Sequence, residues 1–203
     1  MKIPELVLRQ NKINIQYSEQ KLFGKIVTTS FDRESALKNL KEIYEVCNDL
    51  KIKIFPFGGT LLGIVREKDF IAHDLDMDFA IKIKDYFPNL IPALVSKGFS
   101  FSCSFGKLEK GYELRFFKRN IQVDIFIFYE GDNYDYTNCY DNNGNLYEVK
   151  FDKFELCNYE FKGINILIPD SVEEFLKTEY GENWKVPNKK WNYLKDSKNI
   201  FRG

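Results

Sequence analysis

Histidine and clustered cysteine are what this sequence has least of. Its 203 residues include one histidine, and its four cysteines are far apart, with no C-x-x-C pair. The cysteines are Cys47, Cys103, Cys139 and Cys157. A structural zinc site needs cysteine and histidine ligands at close spacing, and His73 has no cysteine near it to complete one. This argues against a Cys/His zinc site and favours free, mostly buried thiols in a reducing compartment.

The sequence also lacks net charge and long apolar runs. Its 30 Lys and Arg balance its 30 Asp and Glu, which argues against bulk binding to nucleic acid. No apolar run approaches the roughly 18 residues that a membrane-spanning helix needs, and no signal peptide is recognisable. We therefore expect no nucleic-acid partner and no transmembrane segment.

What the chain does have is enough apolar surface for one sizeable core. Hydrophobic residues make up 44% of it, with 19 Phe and 12 Tyr. A chain of this length predicts one domain, residues 1–203, with a core rich in phenylalanine.

The most informative stretch of the chain runs from Phe57 to Ile83. Its last part alternates, with Met77 and Phe79 on one side and Asp76 and Asp78 on the other. This period of two predicts a strand with one buried face. Side chains two residues apart on a strand lie about 6.5–7 Å apart on the same face. The two aspartates are therefore expected to project side by side.

Two carboxylates this close repel each other. At about 4 Å and an effective dielectric constant of about 20, the repulsion is of order 4 kcal/mol. A cation between them would relieve it, and ligands that are all oxygen favour Mg²⁺ or Mn²⁺. The alternative is a solvated acidic strand end, which is common for an isolated pair of this kind. A second half of the site would favour the cation over the solvated strand end.

A glycine turn upstream supplies that second half. Without Cβ atoms, Gly58 and Gly59 let the backbone approach a phosphate and offer its N–H groups. Thr60 is expected to start a short helix whose N-terminus favours an anion. Arg66 and Lys68 follow as candidate phosphate ligands, with a surface salt bridge as the alternative for Arg66.

This stretch resembles the signature of the nucleotidyltransferase fold and, more closely, that of the LicD/fukutin family of phosphotransferases. The family pattern is G-T-L-L-G-x-x-R, a short spacer, then I-P-x-D-x-D-x-D. The matching residues are Gly59, Thr60, Leu61, Leu62, Gly63, Arg66, Ile71, Asp74, Asp76 and Asp78. Ala72 and His73 depart from the pattern, where the family usually has proline and an aromatic residue, but neither is a metal ligand.

Asp124 lies in the middle of the apolar strand predicted over Ile121–Tyr129. A charge there is almost never buried unpaired. One interpretation is a salt bridge to Arg115 or Lys118. The other, implied by the family's comparable V-D-I-F segment, is a third metal-binding carboxylate beside Asp76 and Asp78. Arg115 is then a candidate ligand for nucleotide or phosphate at the same site.

The rest of the chain predicts an α+β fold. Helices are expected over 34–50 and 85–96, and over a segment after Asp170, which would form a capping box with Glu173. Residues 131–168 are predicted to be a β-hairpin-rich insertion on a mixed sheet flanked by helices. The segment Tyr180-Gly181-x-x-Trp184, followed by Pro187 and Trp191, resembles the C-terminal part of the same family.

The resemblance implies a reaction. In this family a CDP-linked donor transfers a phospho-alcohol (phosphocholine, ribitol phosphate, glycerol phosphate or a related phosphonate) to a glycan or glycolipid, and CMP leaves. Asp76, Asp78 and Asp124 would hold one or two Mg²⁺ or Mn²⁺ ions, and Asp74 or Asp124 would act as the base. Such donors are made in the cytoplasm, so we expect a cytoplasmic enzyme, compatible with peripheral association at the inner face of a membrane.

Two alternatives remain open. One is a true nucleotidyltransferase, which would expel pyrophosphate instead of CMP. The other is a non-catalytic module that binds a nucleotide or a glycan. The three intact acids argue against the second alternative.

Overall fold

The computed structural model describes residues 31–141 and 143–202. The helices are α1 Arg33–Asp49, α2 Gly58–Leu62, α3 Leu90–Ser96, α4 Val172–Tyr180 and α5 Tyr193–Asp196. The strands are β1 Ile54–Pro56, β2 Asp76–Lys82, β3 Ser100–Lys107, β4 Lys110–Lys118, β5 Ile121–Glu130, β6 Tyr134–Tyr140, β7 Leu146–Asp152, β8 Leu156–Phe161, β9 Ile164–Pro169 and β10 Ile200–Arg202. A π-helical turn, Gly63–Glu67, follows α2, and a 3₁₀ turn, Ile83–Asp85, follows β2.

A mixed sheet of eight strands is the core of the fold, as predicted. Its central strand, β5, pairs in parallel with β2 and antiparallel with β4, while β1 and β3 extend the two sides. The parallel register sets Asp78 opposite Asp124. The far end of β5 pairs with β6, and β7 and β10 continue the sheet from there.

Phenylalanine fills the space between the sheet and the helices. Phe55, Phe79 and Phe128 are fully buried. Phe151 on β7 stacks on Phe175 of α4, with ring centroids 4.1 Å apart and planes nearly parallel. Offset and edge-to-face ring pairs each add about 0.5–1.5 kcal/mol beyond the burial of their area. The predicted phenylalanine-rich core is confirmed.

The local predictions had mixed outcomes. Helix α1 matches the predicted 34–50 helix, and residues 131–168 fold into two hairpins, one joined to the central sheet and one paired only with itself. That these hairpins are an insertion stays a prediction. The helix predicted over 85–96 is wrong in its first part, since α3 begins at Leu90. Pro88 disfavours a helical conformation at the residue before it, which explains the late start.

The predicted capping box is also wrong. Helix α4 begins at Val172 with Ser171 as its N-cap, and the side chain of Ser171 makes no capping hydrogen bond. Asp170 instead accepts hydrogen bonds from the backbone N–H groups of Ser171 and Glu155, at 2.8 and 3.3 Å. Its carboxylate therefore joins the ends of the β8–β9 hairpin rather than the first turn of the helix.

The four cysteines are free thiols, as predicted. Three of them are buried, and Cys157 is exposed. In the part of the chain that the structure describes, no helix is both long enough and apolar enough to cross a membrane.

Candidate active site

A cavity of about 350 Å³ opens beside the first residues of β2. It brings together residues that are far apart in the sequence, from the glycine turn, strands β2, β4, β5 and β6, and the C-terminal helices. Its carboxyl groups belong to Asp74, Asp76, Asp78, Glu113, Asp124 and Glu179. Such a concentration of acids in one concave site points to a cationic ligand or to acid–base chemistry.

Asp76, Asp78 and Asp124 form the centre of this cavity. Each contributes a carboxylate oxygen, and the three oxygens lie within 4.8 Å of one another. The parallel pairing of β2 with β5 causes this convergence, because it sets Asp78 beside Asp124 while Asp76 shares the face of Asp78. The structure thus brings together the three residues predicted to bind metal.

Helix α2 holds Asp78 by its backbone. The Asp78 N–H donates to the hydroxyl of Thr60 at 2.9 Å, and the Asp78 carbonyl accepts from the Phe57 N–H at 3.0 Å. Thr60 is buried and lies outside the lining of the cavity. Its observed contact is therefore one that positions Asp78.

The two glycines leave room for the acids. Gly58 has a φ of +52°, and a Cβ added there would lie 2.9 Å from Oδ2 of Asp78. A Cβ at Gly59 would lie only 2.2 Å from Oδ2 of Asp74. Glycine tolerates the positive φ at position 58 and has no Cβ at either position. The turn predicted to bind phosphate therefore also lets two carboxylates lie close to the backbone.

Arg115 is tied to Asp124 from the neighbouring strand. Its Nε and Nη2 donate to the two oxygens of Asp124 at 2.8 and 2.9 Å, and Gln122 donates to Oδ2 at 2.9 Å. The predicted salt bridge from Asp124 to Arg115 is confirmed, and Asp124 also lies in the acid cluster, while its role as a metal ligand stays a prediction. Burial opposes the charge on Arg115, but Asp124 and Glu113 outweigh this and raise the pKa of Arg115.

The three acids around β2 are not neutralised in this way. Burial is the main cause that raises the pKa of Asp74, Asp76 and Asp78. Repulsion from Asp74 and Asp124 raises the pKa of Asp76 further, and repulsion from Asp76 and Asp124 does the same for Asp78. A divalent cation would remove this repulsion, and the ligand set is all oxygen, so these residues fit Mg²⁺ or Mn²⁺.

Arg66 and Lys68, which were predicted to bind phosphate, do not line the cavity that holds the acids. Arg66 donates to the Trp184 carbonyl at 3.2 Å and to Glu67 at 2.8 Å, and it lines a second cavity of about 280 Å³ that adjoins the first. Lys68 donates to the hydroxyl of Tyr159 at 2.8 Å and lines neither cavity.

Glu113, Gln122 and Glu179 are among the cavity residues that sequence reasoning missed. Glu113 and Gln122 each lie two residues from a predicted site residue, Arg115 or Asp124, on the same strand, so strand alternation would have found them. Glu179 continues the apolar spacing of Phe175 on α4, and an acid at such a position is a signal in itself.

Comparison with known proteins places this geometry in a family. Residues 51–171 match the model described as LicD/FKTN/FKRP, nucleotidyltransferase domain. The mouse protein named ribitol-5-phosphate transferase FKTN is 31% identical over 196 residues, which cover 93% of this chain and 42% of that protein. The human protein of the same name is 31% identical over 170 residues, 83% of this chain and 37% of that protein.

The chain thus spans about two-fifths of the length of these relatives. Among solved structures, ANT(2″)-Ia in complex with adenylyl-2″-tobramycin aligns with a TM-score of 0.47 and 11% identity, over 77% of this chain and 81% of that one. The family match covers the glycine turn, the aspartates of β2 and Asp124, which are the parts of the acid site. The chain belongs to the LicD/FKTN/FKRP nucleotidyltransferase-domain family.

Proposed function

We propose that this protein transfers a phospho-alcohol from a CDP-activated donor to a hydroxyl of a glycan or glycolipid, with release of CMP. One observation carries the proposal: Asp76, Asp78 and Asp124 converge within 4.8 Å in the cavity of a member of this family. The two FKTN relatives are named ribitol-5-phosphate transferases, which makes ribitol phosphate the first group to test.

Mg²⁺ or Mn²⁺ fits as the cofactor, held by the three converging carboxylates. Such an ion would neutralise the charge of the donor diphosphate and stabilise the leaving nucleotide. Arg115 and Gln122 fix the orientation of Asp124 through three hydrogen bonds. The absence of Cβ atoms at Gly58 and Gly59 lets the carboxylates of Asp78 and Asp74 lie against the backbone at the edge of the cavity.

Asp74 is the better candidate for the base that takes the proton of the acceptor hydroxyl. Both oxygens of Asp124 already accept hydrogen bonds from Arg115. Asp74 lies in the same cavity but outside the cluster of three, and the hydrogen bond it accepts from the Leu75 N–H occupies Oδ1. Burial raises the pKa of Asp74, and a side-chain hydrogen bond with Asp76 opposes part of this rise, which favours the ionised form that a base needs.

The test is isothermal titration with CDP-ribitol, CDP-glycerol, CDP-choline, CTP and ATP, each with and without Mg²⁺. The proteins are the wild type, Asp78→Asn and the exposed control Asp132→Asn. We expect Mg²⁺-dependent binding of a CDP-alcohol that Asp78→Asn weakens and Asp132→Asn leaves unchanged. Absence of any metal-dependent nucleotide binding would refute the proposal.

Product analysis then separates the two enzymatic possibilities. CMP together with a phosphodiester product supports the phosphotransferase. Pyrophosphate together with a nucleotidylated product would show a true nucleotidyltransferase on the same fold. The supply of CDP-linked donors leads us to propose further that the enzyme works on the cytoplasmic side, at or near a membrane.

A further inference from the structure

Glu179 is a buried acid in the cavity to which the proposed reaction gives no task and which, unlike Glu113, has no salt bridge among the described residues. It lies one residue before the end of α4, on the face that carries Phe175 and Leu176, and only 2% of its surface is exposed. Its Oε2 atom is buried and has no hydrogen-bond partner. Glu179 also lines the cavity that holds the three converging aspartates. A buried carboxyl oxygen without a hydrogen-bond partner is costly, so its presence in a ligand cavity needs an explanation.

The surroundings of Glu179 differ from those of the aspartates. Cys139 and Tyr140 of β6, together with Tyr180 and Tyr193, line the same cavity. Burial raises the pKa of Glu179 to about 8, and a hydrogen bond with Tyr180 offsets only part of this rise. At neutral pH the group is mainly a neutral carboxylic acid, which can both donate and accept a hydrogen bond.

A neutral acid beside aromatic rings suits a hydroxylated ligand better than a second metal ion. If the aspartates mark the position of the diphosphate, the groups attached to that diphosphate extend into the remaining cavity. In a CDP-alcohol those groups are the ribose and the transferred alcohol. Both ribose and a polyol offer hydroxyl groups that could pair with the free oxygen of Glu179.

We propose that Glu179 is a specificity-determining residue that binds a hydroxyl group of the donor, in the ribose or in a transferred polyol. This inference rests on the proposed function, because it takes the donor to be a CDP-alcohol. It predicts preference for a hydroxylated ligand over one without the hydroxyl, beyond what the acid cluster provides.

The variants Glu179→Met and Glu179→Gln test this proposal. Methionine keeps the length of the side chain but loses the hydrogen bond, whereas glutamine still donates and accepts one. Glu174→Gln, an exposed position on the same helix, is the matched control. Thermal unfolding of each variant monitors the fold, and we expect Glu179→Met to melt close to the wild type, because removal of a buried oxygen without a partner offsets loss of the hydrogen bond with Tyr180.

Binding is measured by titration in Mg²⁺ with CDP, 2′,3′-dideoxy-CDP, CDP-ribitol and CDP-choline. If the ribose is the partner, Glu179→Met weakens CDP about tenfold and leaves the dideoxy compound unchanged. If the polyol is the partner, it weakens CDP-ribitol about tenfold and leaves CDP and CDP-choline unchanged. In either case Glu179→Gln retains most of the affinity.

Two results would overturn the inference. Equal affinity of the wild type and Glu179→Met for all four ligands would show that the acid contacts none of them. An equal loss for all four would show a general effect on the cavity instead of a contact with a hydroxyl. In both cases the wild type still binds, so the proposed function survives, whereas a wild type that binds no CDP compound would refute both.

Discussion

Strand β2 carries charges at its two ends, and the protein surrounds them differently. At its last residue, Lys82 donates to Asp135 at 2.8 Å and to the carbonyl of Phe154, and its ammonium group lies 4.2 Å from the centroid of the Phe154 ring. Lys82 is 4% and Asp135 1% exposed. Lys153 adds a second cation 3.1 Å from Asp135. This buried charge has its partners within the protein.

At the first residues of the same strand the charges have no such partners. Within the described part of the chain, neither Asp76 nor Asp78 forms a salt bridge, and burial together with repulsion from neighbouring aspartates raises the pKa of both. The fold provides a counter-ion for Lys82, which supports the structure, and no salt-bridge partner among the described residues for Asp76 and Asp78. This contrast supports a bound cation at the acids.

The largest expected effect is a loss of activity without a loss of stability when one acid of the cluster is removed. We expect Asp78→Asn to lower transfer of the phospho-alcohol by about a thousandfold or more, because metal stabilisation of the transferred group is worth several kcal/mol. We expect no loss of thermal stability, since the substitution removes repulsion in the absence of metal. Activity is followed by CMP release, and stability by thermal unfolding without Mg²⁺.

The exposed Asp132→Asn is the control for a change of charge alone. Full activity of Asp78→Asn would contradict the comparison, because the reaction would then not depend on the carboxylate of Asp78. A large fall in melting temperature would instead show that Asp78 stabilises the fold, as Lys82 does.

At the opposite end of β2 we expect a loss of stability without a loss of nucleotide binding. Lys82→Met leaves Asp135 buried with only Lys153 as a partner, so we expect a loss of about 3 kcal/mol in the free energy of unfolding. Urea unfolding measures this, and Mg²⁺-dependent nucleotide binding by the folded fraction should stay close to wild type. In the double variant Lys82→Met/Asp135→Leu most of the loss should be regained, because no unpaired charge remains. A loss below about 1 kcal/mol in the single variant would contradict the assignment.

The features predicted correctly from sequence are those set by neighbouring residues. The alternation around Asp76 and Asp78 defines a strand face, and the pair Gly58-Gly59 marks a turn, so both follow from local pattern. The approach of Asp124 to them depends on the pairing of β2 with β5, which no local signal fixes. It was expected only because the family resemblance implied it.

The failures at Asp170, Glu179 and Thr60 have a tertiary cause in common. Asp170 has the spacing of a capping residue, yet its carboxylate bonds to Glu155, which is brought close by the β8–β9 hairpin. The burial of Glu179 depends on how α4 lies over the sheet, and the role of Thr60 depends on its contact with Asp78 of β2. Sequence spacing carries no information on which elements pack together, so these contacts needed the structure.

Gly59→Ala tests how closely the backbone packs against the acids near the start of β2. A Cβ there would lie 2.2 Å from Oδ2 of Asp74, so the carboxylate must move. We expect activity to fall about ten- to a hundredfold, because small displacements of catalytic groups have effects of this size. The measurement is a double-mutant cycle with Asp74→Ala. In the Asp74→Ala background, Gly59→Ala should cost little more. Additive losses would show that Gly59 acts on something other than Asp74.

Arg115→Lys tests the role of Asp124, which belongs both to the acid cluster and to a buried ion pair. Lysine keeps the positive charge but loses the two parallel hydrogen bonds, so Asp124 is free to rotate. We expect Mn²⁺ to bind about tenfold more weakly, as for other residues that orient a metal ligand. Mn²⁺ titration followed by electron paramagnetic resonance measures this without any substrate.

Arg119→Lys is the matched control, because Arg119 also donates through two nitrogens to one carboxylate, at 2.8 Å each to Glu42, but far from the cavity lining. It should leave Mn²⁺ affinity unchanged. If Arg115→Lys also binds Mn²⁺ as the wild type does, the Arg115–Asp124 pair is structural, like Lys82–Asp135, and Asp124 does not depend on it for metal binding. A tenfold difference between the two variants would show that the same ion pair that neutralises Asp124 also orients it toward the cation.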